Sequence, residues 1–334
     1  MWIFSLLACQ DYNLQGDPDV YGTPNPPDLS IPTQVDRITQ VPVPSVDVLW
    51  IVDNSCSMVE EQRSLTDSFG KFMNYFLGSG LDYHVGVTST DMDTPGYRGE
   101  LREANGVKWI EEGTADPIRT FKTMARMGTD GSADEKGRAA AYTALELKRD
   151  GVNAGFLRED AYLSVIVISD ENDYSGTNPI SLDGFVDWLS TVKAEPDSVT
   201  FSSIVGPEGG CSSASGDAEA GREYLRVTRQ VGGIEWSICD SDYEQMLEEL
   251  GVQAAGLKRE FFLSQVPVPG TVSVWVMEGE DRKDFAETTD WVYDRNRNSV
   301  QFATFVPVPL SQVFIEYQLL SSWSAAQDDT DAAE

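Results

Sequence analysis

Histidine is almost absent from this chain: 334 residues hold one, His84, beside 55 acidic residues and only 24 Lys and Arg. A zinc hydrolase draws on several imidazoles or on paired cysteine ligands, and neither set is present. A serine hydrolase would have His84 as its only histidine base, and the chain contains no Gly-x-Ser-x-Gly elbow. Basic charge is equally scarce. The formal net charge of −31 argues against nucleic acid, whose phosphates demand a basic face, and against adsorption to an anionic membrane. Long apolar runs are missing too, and the stretch Trp2–Ala8 is too short to span a bilayer. A binding protein is expected, not an enzyme.

What is present centres on Ser45–Met58, SVDVLWIVDNSCSM. An apolar run ends in Asp53, followed by Ser55 and Ser57 at alternate positions. Such a run predicts a buried strand of a parallel sheet, and open α/β sheets place their ligand sites at the carboxyl ends of strands. One carboxylate and two hydroxyls from one loop are hard oxygen donors, suited to Mg²⁺, Mn²⁺ or Ca²⁺. A plainer reading stands beside this one: Ser57-Met-Val-Glu60 has the form of a capping box. A second apolar, β-branched run, Leu163–Ser169, ends in Asp170. Between the two lies Gly128-Thr129-Asp130-Gly131-Ser132, and Ser132-Ala-Asp-Glu135 again has the form of a capping box. Asp91, Asp93 and Asp173 fall in loops that could face the same place.

These motifs resemble the von Willebrand factor type A family. Its metal-ion-dependent adhesion site uses Asp-x-Ser-x-Ser, a threonine and a later aspartate. The resemblance covers Val46–Lys258 and matches Asp53, Ser55, Ser57 and Asp170; the middle ligand is either Thr129 or Ser132. It implies a bound cation, Mg²⁺ first and Mn²⁺ or Ca²⁺ next, completed by an acidic side chain of a protein partner. Asp-Asn-Ser-Cys-Ser-Met followed by Glu61-Gln62 is similar to type A lipoproteins of some Gram-negative bacteria. The family fold is α/β: a doubly wound, mostly parallel sheet with helices on both faces. Alternating strand and helix patterns across residues 46–258 agree with it, and about 210 residues suffice for one large core.

The start of the chain, Leu6-Leu7-Ala8-Cys9, resembles a bacterial lipobox, although the stretch is short and lacks a basic leader. Residues 1–9 are expected to be a lipoprotein-type signal with Cys9 acylated, or the true start lies upstream. Residues 10–45 read as a Pro-rich tether. If the resemblance holds, Gln10 after the cysteine favours the outer membrane of a bacterial envelope. Cys211 and Cys239 are expected to form a disulfide in an oxidising compartment, and Cys56 to pack inward as a small apolar residue. Residues 259–323 read as five short strands, an antiparallel β module of the immunoglobulin-like kind or an extension packed on the first domain. Trp275, Trp291 and Tyr293 are expected in its core. Residues 324–334 form an acidic tail. The alternative function is a structural envelope lipoprotein with a vestigial metal site, binding through the β module.

Overall fold

The computed structural model describes residues 32–195, 198–213 and 216–319. The expected signal and Cys9, the tether up to residue 31, and the acidic tail lie outside them. The chain begins with β1 (Thr33–Thr39), β2 (Ser45–Val52), α1 (Val59–Met73), β3 (Asp82–Ser89), β4 (Trp109–Ile110) and α2 (Pro117–Ala125). It continues with α3 (Gly137–Tyr142), a π-helical turn (Thr143–Leu147), β5 (Tyr162–Ser169), α4 (Leu182–Leu189) and β6 (Val199–Val205). A small hairpin, β7 (Cys211–Ser212) and β8 (Asp217–Ala218), precedes α5 (Arg222–Val231), β9 (Glu235–Ser237) and α6 (Tyr243–Ala254).

Six of these strands form one sheet in the order β4-β3-β2-β5-β6-β9, parallel except at β4. Because both faces are covered, β2 is apolar at nearly every position. Val46, Val48, Trp50 and Val52 point to α1, α2 and α6, while Leu49 and Ile51 point to α3, α4 and α5. Trp50, fully buried, meets Phe69, Phe72 and Phe121 edge-on at centroid distances of 6.2, 5.4 and 5.6 Å. Burying an apolar side chain this completely stabilises by about 1.5–3 kcal/mol. This arrangement is the doubly wound α/β fold, and it brings the ends of β2 and β5 side by side.

The rest of the chain forms β10 (Glu260–Phe262), β11 (Ser273–Glu278), β12 (Asp281–Phe285), β13 (Trp291–Asp294), β14 (Ser299–Phe302) and β15 (Gln312–Gln318). They make two antiparallel sheets, β1-β15-β11-β12 and β10-β14-β13, which share one core around Phe261, Val276, Trp291, Phe302 and Ile315. Three expectations need correction. Residues 33–39, read as tether, are a strand paired along its length with β15. The buried side chain of that strand is Asp36, which accepts from the Ser264 N–H (2.8 Å), the Ser264 hydroxyl (2.6 Å) and the Tyr317 hydroxyl (2.8 Å). Six strands, not five, follow residue 259, because β12 is charged and exposed and shows no apolar alternation. Trp275 is not in the core: it stacks on Phe314 at 5.2 Å on the outer face of the four-stranded sheet.

Candidate metal centre

Asp53 follows the last residue of β2, and its backbone N–H donates to Ile168 O at the end of β5 (3.0 Å). The carboxylate is fully buried. Its Oδ1 accepts from the Ser55 N–H at 2.7 Å and its Oδ2 from the Ser169 hydroxyl at 2.6 Å. The Ser55 and Ser57 hydroxyls lie 3.2 Å apart, and the Ser57 hydroxyl reaches Asp170. Gln62, buried in the first turns of α1, donates to Asp53 O (2.9 Å) and Gly128 O (3.0 Å), tying the Asp53–Ser57 loop to the Gly128–Ser132 loop. Gly131 N–H closes the same contact on Asn54 O (2.9 Å), and a Cβ at Gly131 would meet the Asn54 amide at 2.5 Å. The structure thus brings Asp53, Ser55, Ser57 and Asp170 together.

Thr129 is half-buried on the Gly128–Ser132 loop. Ser132 is engaged elsewhere. Its hydroxyl donates to Asp93 (2.9 Å) and accepts from the Asp134 N–H (3.1 Å), while its own N–H donates to Asp91 (3.3 Å). Asp91 and Asp93 are likewise occupied: Asp91 closes a turn through the N–H groups of Asp93 and Thr94, and Asp93 pairs with Lys136 at 2.9 Å. Asp173 is buried against Arg138 at 2.9 Å. None of the three faces the site with a free carboxylate.

Neither capping box forms. Helix α1 has Met58 at its N-cap and α3 has Lys136, both without a side-chain cap bond. Ser57 and Glu135 are therefore free for other work. Cys56 does not pack inward, contrary to expectation. Asp53, Asn54 and Ser55 are buried in succession, and Cys56 and Ser57 are both exposed.

The electrostatics are those of carboxylates crowded away from water. Burial, with a contribution from Asp170, pushes Asp53 up to about 6. Burial also raises Asp170 against the pull of the Ser57 hydrogen bond. Burial and the charges of Asp53 and Asp170 push Glu171 up to about 7. Glu135, fully buried, is pushed up to about 9 by burial and then by Asp53. Asp170 Oδ1, Glu135 Oε1 and Glu61 Oε2 are buried with no hydrogen-bond partner. Buried polar atoms in folded proteins are rarely left unpaired, and those that are call for an explanation such as an ion. Among the described residues no three Asp, Glu, His or Cys side chains converge closely enough to hold a metal by themselves. The donors that fit a cation here are therefore carboxylates working with the two serine hydroxyls and bridging water, all hard oxygens.

Gln62, Ser169, Thr90 and Glu135 were not singled out as site residues from sequence. Glu135 carried a visible signal, an acid just ahead of Gly137-Arg-Ala-Ala-Ala, but a helix cap explained it equally well. Beside Asp170 opens a cavity of about 740 Å³ lined by Asn172, Tyr174, Cys211, Glu219 and Arg222. Its wall is the β7–β8 hairpin. Glu219 N–H holds that hairpin to Asp170 O (2.9 Å), and a Cys211–Cys239 disulfide holds it to the segment before α6.

By sequence the chain matches no family model and no curated protein. Among solved structures it is similar to a von Willebrand factor type A protein from Catenulispora acidiphila, with 12% identity and a TM-score of 0.41, over 86% of this chain and 65% of that one. It is similar to the pilus adhesin SpaC of Lactobacillus rhamnosus GG in its open conformation, with 12% identity and a TM-score of 0.44, over 89% and 43%. A third is proximal thread matrix protein 1 from the mussel byssus with a zinc-occupied adhesion-site motif, with 14% identity and a TM-score of 0.40, over 69% and 52%. The chain spans less than two thirds of the length of each. One of these similar structures bears the von Willebrand factor type A name, and the fold of this chain is read from its own six-stranded, mostly parallel sheet.

Proposed function

We propose that this chain is a non-enzymatic binding protein whose α/β domain engages a protein partner through a divalent cation. One observation carries the reading: Asp53, Ser55, Ser57 and Asp170 meet at the carboxyl end of the central strands, and Asp170 keeps a buried oxygen without a partner. Each Asp53 oxygen already accepts one hydrogen bond, from Ser55 and from Ser169, and its remaining lone pairs act through water. Asp170 and the serine hydroxyls offer the direct donors. A bound Mg²⁺, Mn²⁺ or Ca²⁺ would supply an electrophile that an acidic side chain of the partner completes.

Hydrolysis finds no support in the geometry. His84 sits near the start of β3, away from the strand ends that carry the serines, with Nδ1 2.9 Å from Phe156 O. For location we propose a lipid anchor at Cys9 in a bacterial envelope, on the strength of Leu6-Leu7-Ala8-Cys9, and the outer membrane on the strength of Gln10 after the cysteine. Labelling with a radioactive fatty acid in a Gram-negative host tests that point, and absence of label on Cys9 would remove it.

A second reading has one observation in its favour. The Trp275–Phe314 stack on the outer face of the β module is flanked by Arg282 (4.3 Å) and Arg37 (5.7 Å), a surface able to bind without metal. Calorimetry of the full chain against the three cations, with Asp53→Ala as control, decides between them. Saturable binding of one ion, lost in the variant, supports the metal reading. Equal heats in both proteins would end it.

A further inference from the structure

Helix α5 carries three arginines, and their company differs. Arg226 pairs with Asp183 (2.5 Å), and Arg229 with Glu235 (2.6 Å) and with Glu208. Arg222, in the first turn, has no acidic partner among the described residues. Acids outnumber Lys and Arg by 55 to 24, so the lack is not one of supply. A cation gains nothing from the helix at that end either, where the dipole favours acids.

Arg222 lines the cavity of about 740 Å³ walled by the β7–β8 hairpin. Asn172 lines it too. Its side-chain oxygen accepts from the Glu223 N–H (3.0 Å), which leaves its NH2 group free to donate. That bond occupies an amide in the first turn of α5, so binding here falls to side chains and not to the helix end. Glu219 is the one carboxylate in the lining, and it accepts from the Asn172 N–H (2.5 Å) and the Tyr174 hydroxyl (2.7 Å). The walls are fixed before any ligand arrives. The Cys211–Cys239 disulfide, Glu219 N–H to Asp170 O (2.9 Å) and Gly221 N–H to Gly206 O (2.9 Å) hold the hairpin down. The approach is so close that a Cβ at Gly206 would collide with Glu219 O. A preformed wall lowers the ordering cost of binding.

We propose that this cavity is a subsite for an acidic segment of a protein, one Asp or Glu carboxylate of which bonds Arg222 and the Asn172 NH2. A guanidinium presents paired N–H donors that match a carboxylate. One cation suits one negative charge, and a doubly charged phosphate would meet Glu219. The cavity is much larger than a carboxylate, and Tyr174, Ser212 and the Gly209–Gly210 backbone line the space for flanking peptide. The subsite uses no metal and stands whether or not the loop at Asp53 holds one.

The test is an amide NMR titration of the isotope-labelled full chain in EDTA. The probes are the blocked peptide acetyl-Gly-Asp-Gly-amide, its asparagine counterpart and inorganic phosphate. The aspartyl peptide should give saturable shifts at Gly209, Gly210, Ser212 and Ala220. Arg222→Gln should weaken it about tenfold, and Arg222→Lys less, because the charge remains without the fork. Arg222 is exposed, so its variants should fold. Arg119→Gln, at an exposed arginine outside the cavity, should change nothing. Equal affinity in Arg222→Gln, or for the asparagine peptide, would overturn the proposal. Tighter binding of phosphate would make this a small-anion site and end the peptide reading. No saturable shift at these amides in the unaltered chain would also overturn it. Because chelator is present throughout, none of these outcomes touches the cation reading.

Discussion

Strand β2 carries a buried aspartate at each end, and the two have opposite surroundings. Asp47, near its start, meets cations: Arg158 donates to it through its backbone N–H and Nε, both at 2.7 Å, and Lys193 Nζ lies 3.7 Å away. Asp53, just past the other end, has only hydroxyl and amide donors and stands among Asp170, Glu135 and Glu171. The chain thus holds the charges it needs to neutralise an aspartate and uses them at one end of the sheet only. A buried charge completed by the protein is structural, whereas one left among like charges awaits something else.

The largest expected effect breaks the completed end. Arg158→Ala leaves Asp47 buried with Lys193 and the His84 imidazole (3.6 Å) and should cost about 3 kcal/mol in denaturant unfolding, at the low end for a severed buried pair because Arg158 is partly exposed and Lys193 remains. The same measurement on Asp53→Asn, without metal at pH 8, should show no loss and a gain of about 1–3 kcal/mol. Equal losses at both ends would mean that Asp53 is structural too.

Next comes pH. The folded-state values at the site are raised, so stability from these groups is fully present below their unfolded values and is lost as pH rises through the folded ones. For Asp53 the window runs from 3.8 to about 6. Glu171 extends it to about 7 and Glu135 to about 9. Metal-free protein should therefore melt lower at pH 8 than at pH 5, with Asp53 alone costing about 1.4 kcal/mol over that interval. Saturating Ca²⁺ at roughly thirty times its Kd should return about 2 kcal/mol at pH 8. Because protonated carboxylates bind no ion, the same addition should do little at pH 4. A melting temperature unmoved between pH 5 and 8 would contradict the crowding of charge at this end.

The contrast also marks what the sequence made legible. Strands β2, β5 and β6 were plain because interior parallel strands must be apolar on both faces. The site's first loop was plain because its donors lie close together in sequence. Long-range polar pairing was not. Strand β1 shows no apolar alternation, since its buried position is Asp36, whose partners Ser264 and Tyr317 lie at the far end of the chain. Glu135 was hidden for a similar reason: its meaning depends on Thr90, which belongs to another loop, while its local pattern spelled a helix cap. Arg158 gave no sign of reaching Asp47 either. Cys56 was misplaced because burial along the loop changes in one step and not by alternation: Asp53, Asn54 and Ser55 are buried, then Cys56 and Ser57 are both exposed.

That step leads to the smallest effect. Cys56 is exposed between Ser55 and Ser57 and is the only free thiol among the described residues. Its own bonds hold nothing, so Cys56→Ser should change stability by no more than about 0.5 kcal/mol. A maleimide on Cys56, however, would stand at the mouth of the site without removing any proposed ligand. Ion affinity measured by calorimetry should then survive labelling, while binding of a captured partner should fail. If a partner still bound the labelled protein, and still bound it in chelator, contact would run through the Trp275–Phe314 face of the β module. The incomplete end of β2 would then be a cation site that steadies the fold, and the difference between its two aspartates would concern stability alone.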